Sequence, residues 1–87
     1  MNLKISNLKY FPNPASTKLT ISFKSEEAGD FNIQIMNENG KAIFTDKLNN
    51  FEGLYSKDVD LSSKSKGNYI LKITKGNKSI SKKIVIE

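Results

Sequence analysis

The stretch LTISFKSEEAGDFNIQI, residues 19–35, contains two runs in which apolar and polar side chains alternate. The runs cover residues 19–23 and 31–35, and a glycine-containing break at residues 28–30 lies between them. Alternation with a period of two places one apolar set on a single face, as half-buried β-strands do. We therefore predict two strands in this stretch, separated by a turn.

The same period recurs later in the chain, and no window has the i, i+3, i+4, i+7 spacing of an amphipathic helix. With a short first segment, the alternating runs and the turns between them predict seven strands, at residues 8–11, 19–24, 31–37, 41–48, 55–61, 69–75 and 79–86. Seven short strands at this spacing are typical of a β-sandwich. The sequence thus predicts an all-β, antiparallel, seven-stranded sandwich with almost no helix.

Two short turns punctuate the second half of the chain. Asn39 and Gly40 predict a hairpin with a type I′ turn, because both residues tolerate a positive φ. Residues 75–78 predict a second hairpin. Between them, residues 62–66 are expected to cross from one sheet to the other with Leu61 buried, and Gly67 is expected to have a positive φ. Tyr69 is expected to bury its ring, while its hydroxyl finds a partner near this crossover.

Both prolines of the chain flank a single residue, in the order Pro12, Asn13, Pro14. Proline fixes φ and lacks a backbone donor, so these residues do not belong inside a paired strand. The residue before each proline is also restricted to extended conformations. We predict a stiff corner that ends the first edge strand and aims the next one, with a structural role.

The residue types present exclude several kinds of chemistry. The 87 residues suit one domain and contain no cysteine and no histidine. Nucleophilic sites of the Ser/His/Asp or Cys/His type and the usual zinc sites are therefore excluded. Asp58 and Asp60 share a strand face, but an exposed outer face explains them better than a paired-carboxylate site. We predict a non-catalytic domain without metal or cofactor.

No run of about 18 apolar residues predicts a membrane span, and the first residues lack the apolar segment of a secretory signal. The chain is therefore expected to be intracellular, or to be a piece of a longer exported protein. Residues 1–7 are interpreted as the remnant of a linker, or as a start added to an expressed fragment. Residues 8–87 are interpreted as the domain.

The net positive charge of the chain comes from its last quarter. The net charge is +5, yet residues 64–87 hold seven lysines and one acidic residue, +6, and residues 1–63 carry −1. Such a tail suggests an acidic protein surface, nucleic acid or an anionic lipid or glycolipid layer. On composition alone, an edge hairpin that lysines keep from associating is the better explanation. All fourteen basic residues are lysine, which argues against base readout by arginine and against a nucleic-acid partner.

The motifs, taken in order, resemble the type A C-terminal sorting domains of type IX secretion. They are Pro-Asn-Pro-Ala-Ser at 12–16, Asn-Gly-Lys at 39–41, Asp-Leu-Ser at 60–62 and Gly-Asn-Tyr-Ile-Leu-Lys-Ile at 67–73, before a lysine-bearing last strand. The resemblance covers residues 10–87 and implies an immunoglobulin-like sandwich. It implies a domain at the end of an exported protein of a Bacteroidota-type bacterium, with its cargo upstream in the same chain.

The resemblance also implies a route and partners. The protein would pass through the periplasm, and the outer-membrane translocon would recognise the domain. A sortase-like peptidase would then remove it, with release of the cargo or its attachment to anionic lipopolysaccharide at the cell surface. Freed edge strands would let the isolated domain form a homodimer.

Recognition in that family leans on the last strands, so we assign translocon recognition to residues near the end of the chain. They are Lys66, Gly67, Tyr69, Lys72, Lys82, Lys83, Ile84, Val85, Ile86 and Glu87. The lysines would speed encounter with an acidic surface, and the strand edge and terminus would provide the specific contact. The structural motifs are Pro12, Asn13, Pro14, Asn39 and Gly40.

A carbohydrate-binding or adhesive sandwich is the alternative, although tryptophan, a common sugar platform, is absent. A nucleic-acid module ranks third and a catalytic domain fourth.

Overall fold

The computed structural model describes residues 4–87 as five strands joined by short connections. The strands are β1 (Ile5–Phe11), β2 (Lys18–Met36), β3 (Ala42–Asp60), β4 (Gly67–Lys75) and β5 (Lys78–Ile86). No helix occurs among the described residues, and therefore none there is long and apolar enough to cross a membrane. The predicted all-β class is confirmed.

The structure has five strands where seven were predicted, because two predicted breaks lie inside continuous strands. β2 and β3 contain 19 residues each and pair antiparallel along almost their whole length. Their register shifts on both sides of Gly29, opposite a segment in which Asn50 and Gly53 have φ of 50° and 104°. The turn predicted at 28–30 and the loop expected between the predicted strands 41–48 and 55–61 are therefore bulges at which the strand pair bends, since bulges kink a strand without ending its pairing.

The bend divides one sheet into two halves that curl around a common core. In the N-terminal half, β1 pairs with residues 20–25 of β2. In the C-terminal half, β4 pairs with residues 31–36 of β2, and β5 pairs with β4. β3 lies along the other side of β2 in both halves. The result is a curled half-barrel, so the predicted seven-stranded sandwich is not what the strand pairing forms.

The core follows the predicted alternation. Every second side chain of the two β2 runs is buried, namely Leu19, Ile21, Phe23, Phe31, Ile33 and Ile35. Burying such a side chain stabilises the fold by about 1.5–3 kcal/mol relative to leaving it exposed. At the bend, Phe23 stacks on Tyr55 with ring centroids 4.9 Å apart, and Phe51 packs edge-on against both. Aromatic packing thus fills the core where the backbone pairing is irregular.

The hairpin at Asn39 and Gly40 is confirmed, but its geometry differs from the predicted type I′ turn. Gly40 has a φ of 81°, whereas Asn39 does not have a positive φ. The Gly40 N–H donates to the Asn37 carbonyl at 3.0 Å, and the Asn37 side-chain oxygen accepts from the Asn39 and Lys41 N–H groups. The Asn37 side chain satisfies these donors locally, so only the glycine needs the left-handed conformation.

The predicted crossover from one sheet to another is wrong, because β3 and β4 belong to the same sheet, but the local details predicted for this connection are confirmed. Leu61 is buried, and Gly67 has a φ of 150°. The Tyr69 hydroxyl donates to the Ser65 carbonyl at 2.6 Å, which pins the connection onto the ring that β4 buries.

The first strand begins earlier than the predicted residue 8. β1 begins at Ile5, which pairs with Ser25 of β2. Residues 1–3 of the predicted linker lie outside the described residues.

Candidate functional site

The proline corner crosses from one half of the sheet to the other and contacts the last strand. Residue 15 forms an isolated parallel bridge with Ile86. The Ala15 N–H donates to the Val85 carbonyl, and the Glu87 N–H donates to the Ala15 carbonyl, both at 2.8 Å. Ala15 itself is buried. The corner therefore covers the end of β5.

Asn13 adds two hydrogen bonds from its side chain to the same strand. Its Nδ2 group donates to the Lys83 carbonyl at 3.3 Å, and its Oδ1 atom accepts from the Val85 N–H at 3.1 Å. The peptide bonds before Pro12 and Pro14 are both cis. The predicted structural role of the Pro12–Pro14 motif thus includes a contact with β5. This is one of the two strands to which recognition was assigned from the sequence.

The rest of the β5 edge has no strand beside it among the described residues. β4 and β5 are joined by a two-residue turn whose closing pair is Lys75 and Lys78. Successive residues of a strand direct their backbone groups to opposite sides, so the odd-numbered residues of β5 face away from β4. From the Lys83 carbonyl to the Glu87 N–H, the corner forms hydrogen bonds with these backbone groups. At Ser79 and Ser81, and at the Lys83 N–H, they face outward, and we call residues 78–83 the open edge.

Charge distinguishes the open edge from the other long edge of the sheet. β5 carries Lys78, Lys82 and Lys83 and no acidic residue, whereas β3 carries four acidic residues and two lysines. Lys82 occupies a core-side position, paired with the buried Leu71, yet its side chain is exposed. A charged residue that points inward at an edge discourages strand pairing between like copies.

The residues predicted for recognition differ in accessibility. The exposed ones are Lys66, Lys82, Lys83 and Glu87, the partly buried ones are Gly67, Lys72 and Val85, and the buried ones are Tyr69, Ile84 and Ile86. A partner of the folded domain reaches the first set and not the last. The buried three therefore serve the core of the fold.

Sequence reasoning missed the contacts of Asn13 and Ala15 with β5, and it missed the outward backbone groups of Ser79 and Ser81. The serines carry no signal of their own. The two-residue turn at 76–77 could have identified them, because it fixes which residues face away from β4. Nothing in the local sequence around Asn13 indicates a partner so far along the chain.

The carboxylates considered for chemistry have structural partners. Asp58 accepts from the Thr20 hydroxyl at 2.7 Å and lies 3.9 Å from the Lys18 ammonium. Asp60 accepts from the Ser62 N–H at 2.9 Å, and this bond lowers the pKa of Asp60. Within residues 4–87, no three His, Cys, Asp or Glu side chains cluster as a metal site would require.

Tyr55 also serves the fold. Its hydroxyl donates to the Asp46 carboxylate at 2.8 Å. Burial of the ring, together with this carboxylate, raises the pKa of Tyr55. The bond connects the two halves of β3, on either side of the bend.

The half-barrel, with one edge partly covered and partly open and basic, defines a small all-β module. Its family is shown by comparison: residues 9–87 match the family described as the secretion system C-terminal sorting domain. The chain belongs to this family, which comprises the sorting domains of type IX secretion. A comparison with curated proteins gives no significant match. The carbohydrate-binding alternative gains no support.

Proposed function

We propose that this domain is a folded sorting signal whose β4–β5 hairpin is recognised by the type IX translocon of the outer membrane. The family match over residues 9–87 carries the proposal, because it makes the chain a C-terminal secretion sorting signal. A sorting signal of this kind directs a cargo in the same chain across the outer membrane, to the cell surface or the medium.

The route is proposed in the order that the resemblance implies. The cargo and the domain fold in the periplasm of a Bacteroidota-type bacterium, and the translocon then recognises the domain. A sortase-like peptidase removes it, and the cargo is released or attached to anionic lipopolysaccharide. The immunoglobulin-like relationship of the fold belongs to this proposal too, since the seven predicted segments persist as two bent strands and three short ones.

The exposed lysines supply the first step of recognition. Seven lysines lie between Lys64 and Lys83, and their positive field increases the rate of encounter with an acidic partner surface. Lys75 is partly committed within the domain, because its ammonium lies 3.4 Å from the Glu27 carbonyl and 5.4 Å from the centre of the Phe31 ring. Lys82 and Lys83 are exposed on the open edge, and we assign them the larger share of the contact.

The test is export of a reporter. Residues 1–87 are fused behind a fluorescent protein that carries a secretory signal, in a type IX-competent bacterium. The intact fusion is expected at the cell surface or in the medium, and the reporter without the domain is expected in the periplasm. Deletion of Ser79–Glu87 should abolish export. Equal surface delivery with and without the domain would contradict the proposed function.

A further inference from the structure

We propose that the open edge, residues 78–83 of β5, accepts an acidic extended segment of a partner protein as an additional strand. The proline corner determines where that added strand ends. This inference rests on the proposed function, because it assigns the partner segment to the export machinery. It specifies the chemistry of the contact.

The backbone supplies the first argument. The outward N–H and C=O groups of Ser79 and Ser81, and the Lys83 N–H, are arranged like one side of an antiparallel or parallel ladder. An extended peptide that pairs with a sheet edge gains affinity from such main-chain hydrogen bonds. Beyond Lys83 the same side of β5 is occupied, because Asn13 and Ala15 bond the Lys83 carbonyl and the Val85 groups. An added strand therefore pairs with about six residues and stops at the corner.

The side chains supply the second argument and specify the partner. Consecutive residues of β5 face opposite sides of the sheet, so Lys82 lies on the core side and Lys83 on the outer side. Cross-strand neighbours of opposite charge stabilise a pair, and like charges opposite each other destabilise it. The partner strand therefore carries two consecutive acidic residues facing these lysines. The partner strand also carries an apolar residue two positions away from the acidic residue that faces Lys82, and this apolar residue faces the half-buried Ile80.

A second copy of this chain fits the edge less well. Two β5 edges side by side would bring six lysines together without an acid between them. β3 carries acids, but three of them have partners inside the domain: Asp46 accepts from Tyr55, Asp58 from Thr20, and Asp60 from Ser62. The fourth, Glu52, lies in the bulged segment, where the strand is bent.

The direct test uses synthetic peptides and the 87-residue chain. The peptides TEETVTET and its reverse TETVTEET present the acid pair and the valine in the two strand directions. TKKTVTKT controls for charge, and a version of the better acidic peptide that is N-methylated at alternate residues controls for backbone pairing. Amide spectra by NMR would report affinity and hydrogen exchange.

The expected result is that one acidic peptide binds at least about tenfold more tightly than either control. The Ser79, Ser81 and Lys83 amides should exchange more slowly on binding. If the N-methylated peptide binds as tightly as its unmethylated parent, the contact depends on charge alone, and strand addition is overturned. A rise in molecular mass by light scattering without peptide, with the same amides protected, would assign the edge to a second copy and overturn it too.

Two variants of the domain sharpen the test. Ser81→Pro removes an outward N–H and no bond to β4, as prolines at sheet edges do, and should abolish peptide binding. Lys82→Glu with Lys83→Glu should reverse the preference, so that the lysine peptide binds and the acidic one does not. The second variant decides the matter if circular dichroism shows that the first is unfolded. Failure of the preference to reverse would overturn the charge assignment.

Export separates this inference from the proposed function. If residues 1–87 export the reporter and folded Ser81→Pro exports it equally well, strand addition is overturned and the sorting function stands. If residues 1–87 export nothing, the proposed function fails, and the peptide titrations still decide whether the edge binds acidic strands.

Discussion

The side chain of Asn13 accepts a hydrogen bond from the backbone N–H of Val85, 72 residues further along the chain, at 3.1 Å. Through this bond, the corner that follows the first strand holds the strand that ends the domain. The same amide donates to the Lys83 carbonyl, so the corner covers β5 from that carbonyl onward and leaves the outward groups of Ser79 and Ser81 and the Lys83 N–H uncovered. The attachment of β5 and the extent of its open edge therefore depend on the same few contacts.

Replacing Asn13 by alanine is expected to lower the free energy of unfolding by about 1–2 kcal/mol, because two hydrogen bonds are lost at a solvated site. Urea denaturation measures this loss, and faster hydrogen exchange of the Val85 amide locates it. Asn49→Ala is the control, at an exposed asparagine in β3. Equal stability of Asn13→Ala and the unaltered domain would show that the corner does not hold β5.

Replacing Ile84 by alanine is expected to cost about 2–5 kcal/mol, because the side chain is buried and its loss leaves a cavity. Export should fall in proportion to the fraction unfolded, as measured by thermal denaturation. Lys83→Glu, at an exposed neighbouring position, should leave the free energy of unfolding within about 0.5 kcal/mol of the original. An Ile84→Ala domain that is fully folded and yet not exported would instead assign Ile84 a direct contact.

Stability should decline in alkali through Tyr55. The pKa of Tyr55 is raised in the folded state, so the stability it contributes is complete below the unfolded value of about 10 and is lost as the pH rises above it. Tyr55→Phe should be less stable at pH 8, because the bond to Asp46 is lost, and should decline less between pH 9 and 11.5. Urea midpoints across this range test the difference. Parallel curves for the two proteins would contradict it.

Stability should decline in acid through Asp60. The Ser62 N–H lowers the pKa of Asp60 in the folded state, so the stabilising contribution is complete above the unfolded value of about 3.9 and is lost as the pH falls through the folded value. Asp60→Asn should therefore lose less stability than the original domain between pH 5 and pH 2. A steeper decline of the variant would reverse the sign of the assignment.

The periodicity of the sequence predicts the strand faces well, because alternation is a local property. Leu19, Ile21 and Phe23 are buried as predicted, and so are Tyr69 and Leu61. The sequence around Gly29 predicts a turn where the structure has a bulge, because the same small and polar residues are compatible with a turn and with a bulge. Only the pairing of β2 with β3 over the whole of both strands distinguishes a bulge from a turn.

The candidate site also has features that the sequence predicts and features that it does not. The basic character of the last strands is visible in the sequence, and the hairpin turn fixes the side to which each β5 residue points. The covering of that edge by Asn13 and Ala15 joins residues about 70 positions apart, as the hydrogen bonds show. Such a contact depends on how the sheet curls, which no local pattern specifies.

The most direct measurement is the exported fraction of the reporter fused to Lys82→Glu/Lys83→Glu, compared with Lys9→Glu/Lys57→Glu. Both double variants change the net charge equally, and all four lysines are exposed. Lys57, like Lys82, pairs across the sheet with a buried core residue. With both variants folded, we expect export to fall at least about tenfold for the first and to remain near the original level for the second. Equal export of the two variants would contradict recognition at the basic edge.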